Sequence, residues 1–158
     1  MTVTGETGES DRTAALHRPF VSRKGRIAAW AMGIGQFLAI GAWALMLPWS
    51  GPTSVGLTDR LSMMGVAVFI GWGMSRFGGV RATPTEDGLK VRNILLTRTL
   101  SWSEIEDVHY SGSAPWVSLA TTDGDPVAVM AIQRADGEPA QKEAERLARL
   151  VAHHHRSS

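Results

Sequence analysis

From Ile27 to Leu47 the chain runs for 21 residues without a charge, through Trp30, Phe37, Ile40, Trp43 and Leu45, and Arg18, Arg23, Lys24 and Arg26 stand just before it. As a helix rising ~1.5 Å per residue this run reaches roughly 32 Å, about the thickness of a bilayer's hydrocarbon core. Gln36 is its one strongly polar side chain, and an amide is far less expensive in lipid than a charge. A membrane span is expected. The run is longer than the apolar region of a secretory signal, and no small-x-small site ends it at Pro48-Trp49, so a cleaved leader is not expected.

A second apolar run, Leu61 to Ser75, lies between Arg60 and Arg76. Its 15 residues give only ~23 Å of helix, so a crossing needs snorkelling arginines, bilayer thinning or extension into the flanks. The alternative is a re-entrant or interfacial helix. Between the runs, Pro48-Trp49-Ser50-Gly51-Pro52-Thr53-Ser54 is rich in turn formers and reads as a tight loop. The expectation is a helical hairpin over residues 19–78, with spans at about 27–47 and 59–77.

Basic residues flanking membrane helices are retained in the cytoplasm. Arg12 to Arg26 holds five Lys or Arg and no acid, the loop holds only Arg60, and Arg76 and Arg81 follow the second run. Both termini are therefore expected on the cytoplasmic face of the plasma membrane. Trp30 and Trp49 are suited to the two headgroup levels. Ala31, Gly35 and Ala39 on the first helix, and Ala67, Gly71 and Ser75 on the second, recur every four residues and are the expected helix-packing strips. Residues 1–18 are rich in Thr, Gly, Ser and Glu, lack apolar periodicity, and read as a disordered tail.

The overall composition, 44% hydrophobic with net charge +1, conceals this division. The apolar content is concentrated before residue 80, and alternating patterns dominate afterwards. With no cysteine there is neither a disulfide framework nor a thiolate nucleophile. Arginine outnumbers lysine 13 to 3, as in GC-rich bacterial genomes.

From Gly79 to Gln133, short alternating runs predict about six antiparallel strands. Leu89, Val91 and Asn93 oppose Lys90 and Arg92; Leu96, Arg98, Leu100 and Trp102 oppose Thr97, Thr99 and Ser101; further runs follow at Val108 and Tyr110, Val117 to Thr121 and Val127 to Ala131. Glu86-Asp87-Gly88 and Asp123-Gly124-Asp125-Pro126 mark turns. From Pro139 a helix is predicted, with Ala140, Ala144, Leu147 and Val151 on one face supported by Leu150, suited to closing the open end of a single curved sheet. The fold class is α+β: a split β-barrel at 79–153 capped by a C-terminal helix, then a disordered tail at 154–158.

The order of elements, with Val80-Arg81-Ala82-Thr83, Glu86-Asp87-Gly88-Leu89-Lys90-Val91-Arg92-Asn93, Leu100-Ser101-Trp102-Ser103-Glu104-Ile105 and Ala131-Ile132-Gln133, resembles a bacterial pleckstrin-homology (PH) family. More narrowly it is similar to the actinobacterial "low molecular weight protein antigen 6" type, in which a membrane hairpin precedes a PH-like domain. The resemblance covers about residues 18–152. It implies a PH-like barrel and a membrane location, with no known catalytic residues. In eukaryotic PH domains that bind phosphoinositides, cations gather in the first inter-strand loop; here that loop, Thr83 to Gly88, carries two acids and would repel a phosphate.

No enzyme signature is present: there is no G-x-S-x-G, H-E-x-x-H, Walker A or paired-cysteine pattern. Gly33-Ile34-Gly35 lacks the strand and third glycine of a dinucleotide site. His153, His154 and His155 point in different directions on a fraying helix, and Glu104, Glu106 and Asp107 read as the start of a turn, so no metal site is expected. Neither a cofactor nor a nucleic acid partner is expected. Two functional readings follow. The first is a non-catalytic scaffold at the membrane that binds a protein or a second copy of itself, with Trp116 as a candidate contact or a cap on the core. The second is a module responsive to anionic lipid, using Arg18, Arg23, Lys24 and Arg26 beside the membrane and Lys90, Arg92 and Arg98 on the barrel.

Overall fold

The computed structural model describes residues 16–110 and 114–157. Of the disordered tail expected at 1–18, residues 1–15 lie outside that range, as do Ser111, Gly112 and Ser113, whereas residues 16–18 are described and held by Arg146. The chain divides into two compact units: the segment through Ser22 together with Val80 onward, and the intervening Arg23–Gly79.

The intervening unit is two helices, α1 (Arg23–Met46) and α2 (Leu57–Gly78), packed antiparallel. At one end Gly33 meets Met74, and Gly78 lies against the Trp30 indole; at the other, Arg60 reaches Ala44. At 22 residues α2 is longer than its apolar run alone, because Gly56 and Asp59 cap its start ahead of Leu61, with the Gly56 N–H donating to Asp59 Oδ2 at 3.3 Å. Gly51, at φ 103°, turns the connecting loop in the left-handed region open to glycine.

The side chains of this unit are sorted in an unusual way. Ala29, Gly33, Ala44, Arg60 and Ala67 are buried between the helices, while Trp30, Ile34, Leu38, Trp43, Val68, Phe69 and Trp72 face outward. The interior is small or polar and the exterior is large and apolar, the reverse of a water-soluble hairpin.

The other unit contains six strands: β1 (Arg81–Pro84), β2 (Gly88–Arg92), β3 (Thr97–Ser101), β4 (Ile105–His109), β5 (Trp116–Thr121) and β6 (Val127–Gln133). They form two antiparallel sheets of three, β1-β2-β3 and β4-β5-β6, not the single sheet expected from alternation. The break is the 3₁₀ turn Trp102–Glu104, which takes its residues out of any ladder. Asn93 ties the two sheets together, its amide donating to the Ala128 carbonyl at 2.7 Å and accepting the Met130 N–H at 3.2 Å.

Alternation places Leu89, Val91, Leu100, Val117, Leu119, Val127 and Val129 in the core. The last helix, α3 (Glu138–Ser157), covers them with Ala140, Ala144, Leu147, Leu150 and Val151, the face expected from its spacing. Burying Leu147 and Leu150 completely is worth about 1.5–3 kcal/mol each. The helix runs on through residues 154–157, where a disordered tail was expected, because His154 finds a packing partner described below.

Residues 19–22, expected as the start of the hairpin, belong instead to the barrel unit. Phe20 pairs with Ala82, its N–H donating to the Ala82 carbonyl at 2.8 Å and its carbonyl accepting the Ala82 N–H at 3.0 Å. Its ring is fully buried, with the Arg146 guanidinium 3.7 Å above it. Arg146 also donates to the carbonyls of Leu16 and Arg18, at 3.0 and 2.8 Å, and bonds Glu143 on its own helix. One α3 side chain thus clamps the segment that leads into α1.

Candidate functional site

The β2–β3 turn, Asn93 to Leu96, follows directly from these ties. The Asn93 N–H donates to the Leu96 carbonyl at 2.9 Å, the Asn93 amide is held by β6, and Ile94 packs on the core. With both inward positions filled, Leu95 and Leu96 must project; they are 85% and 72% exposed. Leu96 was expected on the apolar face of a strand, but β3 begins one residue later.

Cations surround this turn. The register places Arg92 opposite Arg81 and Thr97, Lys90 opposite Thr83 and Thr99, and Arg98 opposite Val91. Arg81, Lys90 and Arg92 therefore share the outer face, whereas Arg98 lies on the core side at the rim. The expected trio is split between faces, and Arg81 stands with Lys90 and Arg92 on the outer one. The acids lie at the other end of the sheet. Glu86 and Asp87 are exposed in the β1–β2 turn, which the Trp102 indole N–H holds by bonds to the carbonyls of Thr85 and Glu86 at 3.2 and 3.1 Å.

Glu104 closes its turn by accepting the Ser101 N–H at 2.6 Å and the Ser101 hydroxyl at 2.9 Å, and these bonds, backbone first, hold its carboxyl below the usual carboxylate range. Asp107 pairs with His109 at 3.6 Å. Among the described residues, no group of three or more His, Asp or Glu side chains is placed to hold a metal.

The histidines are not a solvated tail. The His154 ring stacks on Trp102, with centroids 4.2 Å apart and planes at 4°, and its Nε2 lies 3.4 Å from that of His17; His155 Nε2 meets the Trp102 carbonyl at 3.1 Å. Burial first, then the nearby His17, His153 and His155, pushes the His154 pKa below its ordinary 6.5. A folded-state pKa below the unfolded one favours the neutral ring in the fold. Stability is then fully present above pH 6.5, and it falls as the pH drops from there towards the lowered folded value. Thermal unfolding followed from pH 8 to pH 5 should show this loss of midpoint, and His154→Gln should flatten it; an unchanged slope in the variant would refute it.

In the hairpin, of the expected strip Ala67, Gly71 and Ser75 only Ala67 is fully buried; Gly71 and Ser75 are half-buried along a groove, and a Cβ at Gly71 would meet nothing within 4 Å. Ala31, Gly35 and Ala39 do not face α2; they are exposed, and Gly35 has open space around it. The four-residue spacing occurs twice on α1, and the contacting set is Ala29 and Gly33. Gln36 lies between the helices, its amide atoms buried without a hydrogen-bond partner among the described residues. Beside it an apolar groove of about 310 Å³ opens over Gly33 and Gly71. Arg23, Lys24 and Arg26 are exposed in the first turn of α1, Arg18 is exposed before it, and Trp116 is half-buried at the start of β5, opposite Gln133.

Residues 79–150 match the family model described as bacterial PH domain. Two uncharacterized proteins, one of Mycobacterium tuberculosis and one of Mycobacterium bovis, are each 30% identical over 82 residues, covering 52% of this chain and 53% of the relative. The chain thus spans about half the length of the curated relatives it matches. No solved structure matches significantly.

Proposed function

We propose that this protein is a non-catalytic interaction module, a PH-like barrel anchored by a two-span hairpin to the cytoplasmic face of the plasma membrane, with both termini cytoplasmic. The reversed hairpin carries this reading. Large apolar side chains cover its outside, and α1, long and apolar enough to cross a membrane, is mostly unburied, unlike the core helix of a soluble protein. At 22 residues α2 has the length for a second crossing, about 33 Å.

The cations support the orientation. Arg23, Lys24 and Arg26 crowd the first turn of α1, where the helix dipole disfavours positive charge, so helix stability does not account for them. Arg60, at the loop end, is buried and hydrogen-bonded to carbonyls. Among bacterial PH-domain proteins we assign the chain to the low molecular weight protein antigen 6 type, on the order of hairpin and barrel.

In this reading the barrel binds a protein partner or a second copy of the chain, as PH-like domains act through surfaces, with Trp116 as a candidate contact. The test uses the full chain in cells. Membrane fractions should retain it through alkaline extraction, and Ser50→Cys should react with an impermeant maleimide outside while Asp123→Cys reacts only after lysis. A photo-crosslinker at Trp116 should then yield a homodimer or one discrete protein adduct. A chain released by alkali refutes the anchor; lipid adducts alone refute the protein contact.

A further inference from the structure

The β2–β3 turn is an apolar tip that none of the described residues covers, and the register shows where on the barrel it lies. Arg81, the first residue of β1, pairs with Arg92, the last of β2, so the turn is at the end of the sheet where the chain enters from α2. Phe20 pairs antiparallel with Ala82, so the segment running on to Ser22 leaves at that same end. Both covalent connections to the hairpin therefore depart from the end that carries Leu95 and Leu96. From the Arg81–Arg92 pair the tip is only three residues away, roughly 10 Å of extended chain. Charge is sorted along the same axis, with Arg81, Arg92 and Arg98 towards the tip and Glu86 and Asp87 at the far turn.

We infer that this turn is a membrane-docking tip: Leu95 and Leu96 enter the headgroup–acyl boundary of the leaflet from which α1 starts, and Arg81, Lys90, Arg92 and Arg98 engage the phosphates of anionic lipid. Two projecting leucines in water are a liability that an interface relieves, and cations beside an inserted apolar tip are the pairing by which peripheral elements hold anionic bilayers. The bonds of Asn93 and the packing of Ile94 hold the turn in shape before it meets lipid, so little ordering is needed on docking. The acidic β1–β2 turn, at the opposite end, faces away from the bilayer. The inference deepens the anchoring proposed above and holds only with it.

The absence of native cysteine makes the test direct. Full-length protein in nanodiscs of three parts phosphatidylcholine to one part phosphatidylglycerol would carry one polarity-sensitive fluorophore at Leu95→Cys, at Asp87→Cys or at Gly35→Cys. Quenching is measured with doxyl-labelled lipid and with aqueous iodide. The expected result is lipid quenching at positions 35 and 95 but not at 87, with iodide access at 95 reduced at least about threefold relative to 87. In pure phosphatidylcholine the lipid quenching at 95 should fall; an equal signal overturns the role given to the cations. Lipid quenching at 35 with position 95 as wet as 87 overturns the docking tip and leaves the anchor standing. No lipid quenching at 35 overturns both. A position 95 shielded from iodide yet unquenched by lipid means burial by protein, and also overturns the proposal.

Discussion

Replacing Arg60 with leucine should open the loop end of the hairpin at an expense of about 3 kcal/mol or more. The reason begins with Pro48. In an α-helix the carbonyl of Ala44 would accept the N–H of the residue four positions on, and proline has none. The Arg60 guanidinium takes that place: Nη1 donates to Ala44, Nη2 to Leu47 and Pro48 at 2.8 and 3.0 Å, and Nε to Val55 at 3.2 Å. The ring of Trp49 covers it, 3.8 Å from the guanidinium carbon. A cation here also meets the negative end of the α1 dipole.

Leucine would leave these carbonyls without their donor, and lysine, a single ammonium with no fork, should recover only part of the loss. Gly33→Cys with Met74→Cys offers the readout, since a Cβ at position 33 would lie 3.2 Å from that of Met74 and a shift of a few tenths of an ångström brings the pair into disulfide range. Disulfide formation between them should slow markedly when Arg60→Leu is added. Unchanged crosslinking and unchanged resistance to unfolding in mixed micelles would show that the arginine does not hold the hairpin.

Periodicity carried the reading wherever one face of an element meets the core, as in β2, β5, β6 and the Ala140-to-Val151 face of α3. It missed features set by partners distant in sequence. Phe20 lies in a short stretch between Arg18 and Arg23 that has no apolar periodicity, so nothing local marks it as core; its burial depends on Ala82 and Arg146. Arg60 reads as an ordinary loop charge until its carbonyl partners come together. The strips on α1 illustrate the same limit, since Ala29-Gly33 and Ala31-Gly35-Ala39 share one spacing and only the partner helix chooses between them. Leu95 and Leu96 were legible in principle. Two leucines following Asn93-Ile94 continue an apolar run, and their exposure became evident only once the turn closed on Asn93.

Gly88→Ala should produce the most severe loss in the barrel, at least about 3–4 kcal/mol, lowering the midpoint of its thermal unfolding by more than ~10 °C. Gly88 sits opposite Ser101 at the start of β2, where the strands approach so closely that an added Cβ would overlap the Leu100 carbonyl oxygen and lie 2.8 Å from its carbon and 2.9 Å from Ser101 Cα. Every one of those atoms is backbone, so no rotamer relieves the clash, and β3 itself must shift. That shift propagates. The Gly88 carbonyl accepts the N–H and hydroxyl of Thr85, at 2.7 and 2.9 Å, and the Thr85 carbonyl in turn receives the Trp102 indole on which His154 stacks. The variant should therefore lose the near-ultraviolet signal of packed tryptophan in the barrel while the hairpin helices keep their far-ultraviolet signal. A variant that melts within ~3 °C of the parent would show that the two strands have room to part, contrary to the close approach on which this end of the sheet is built.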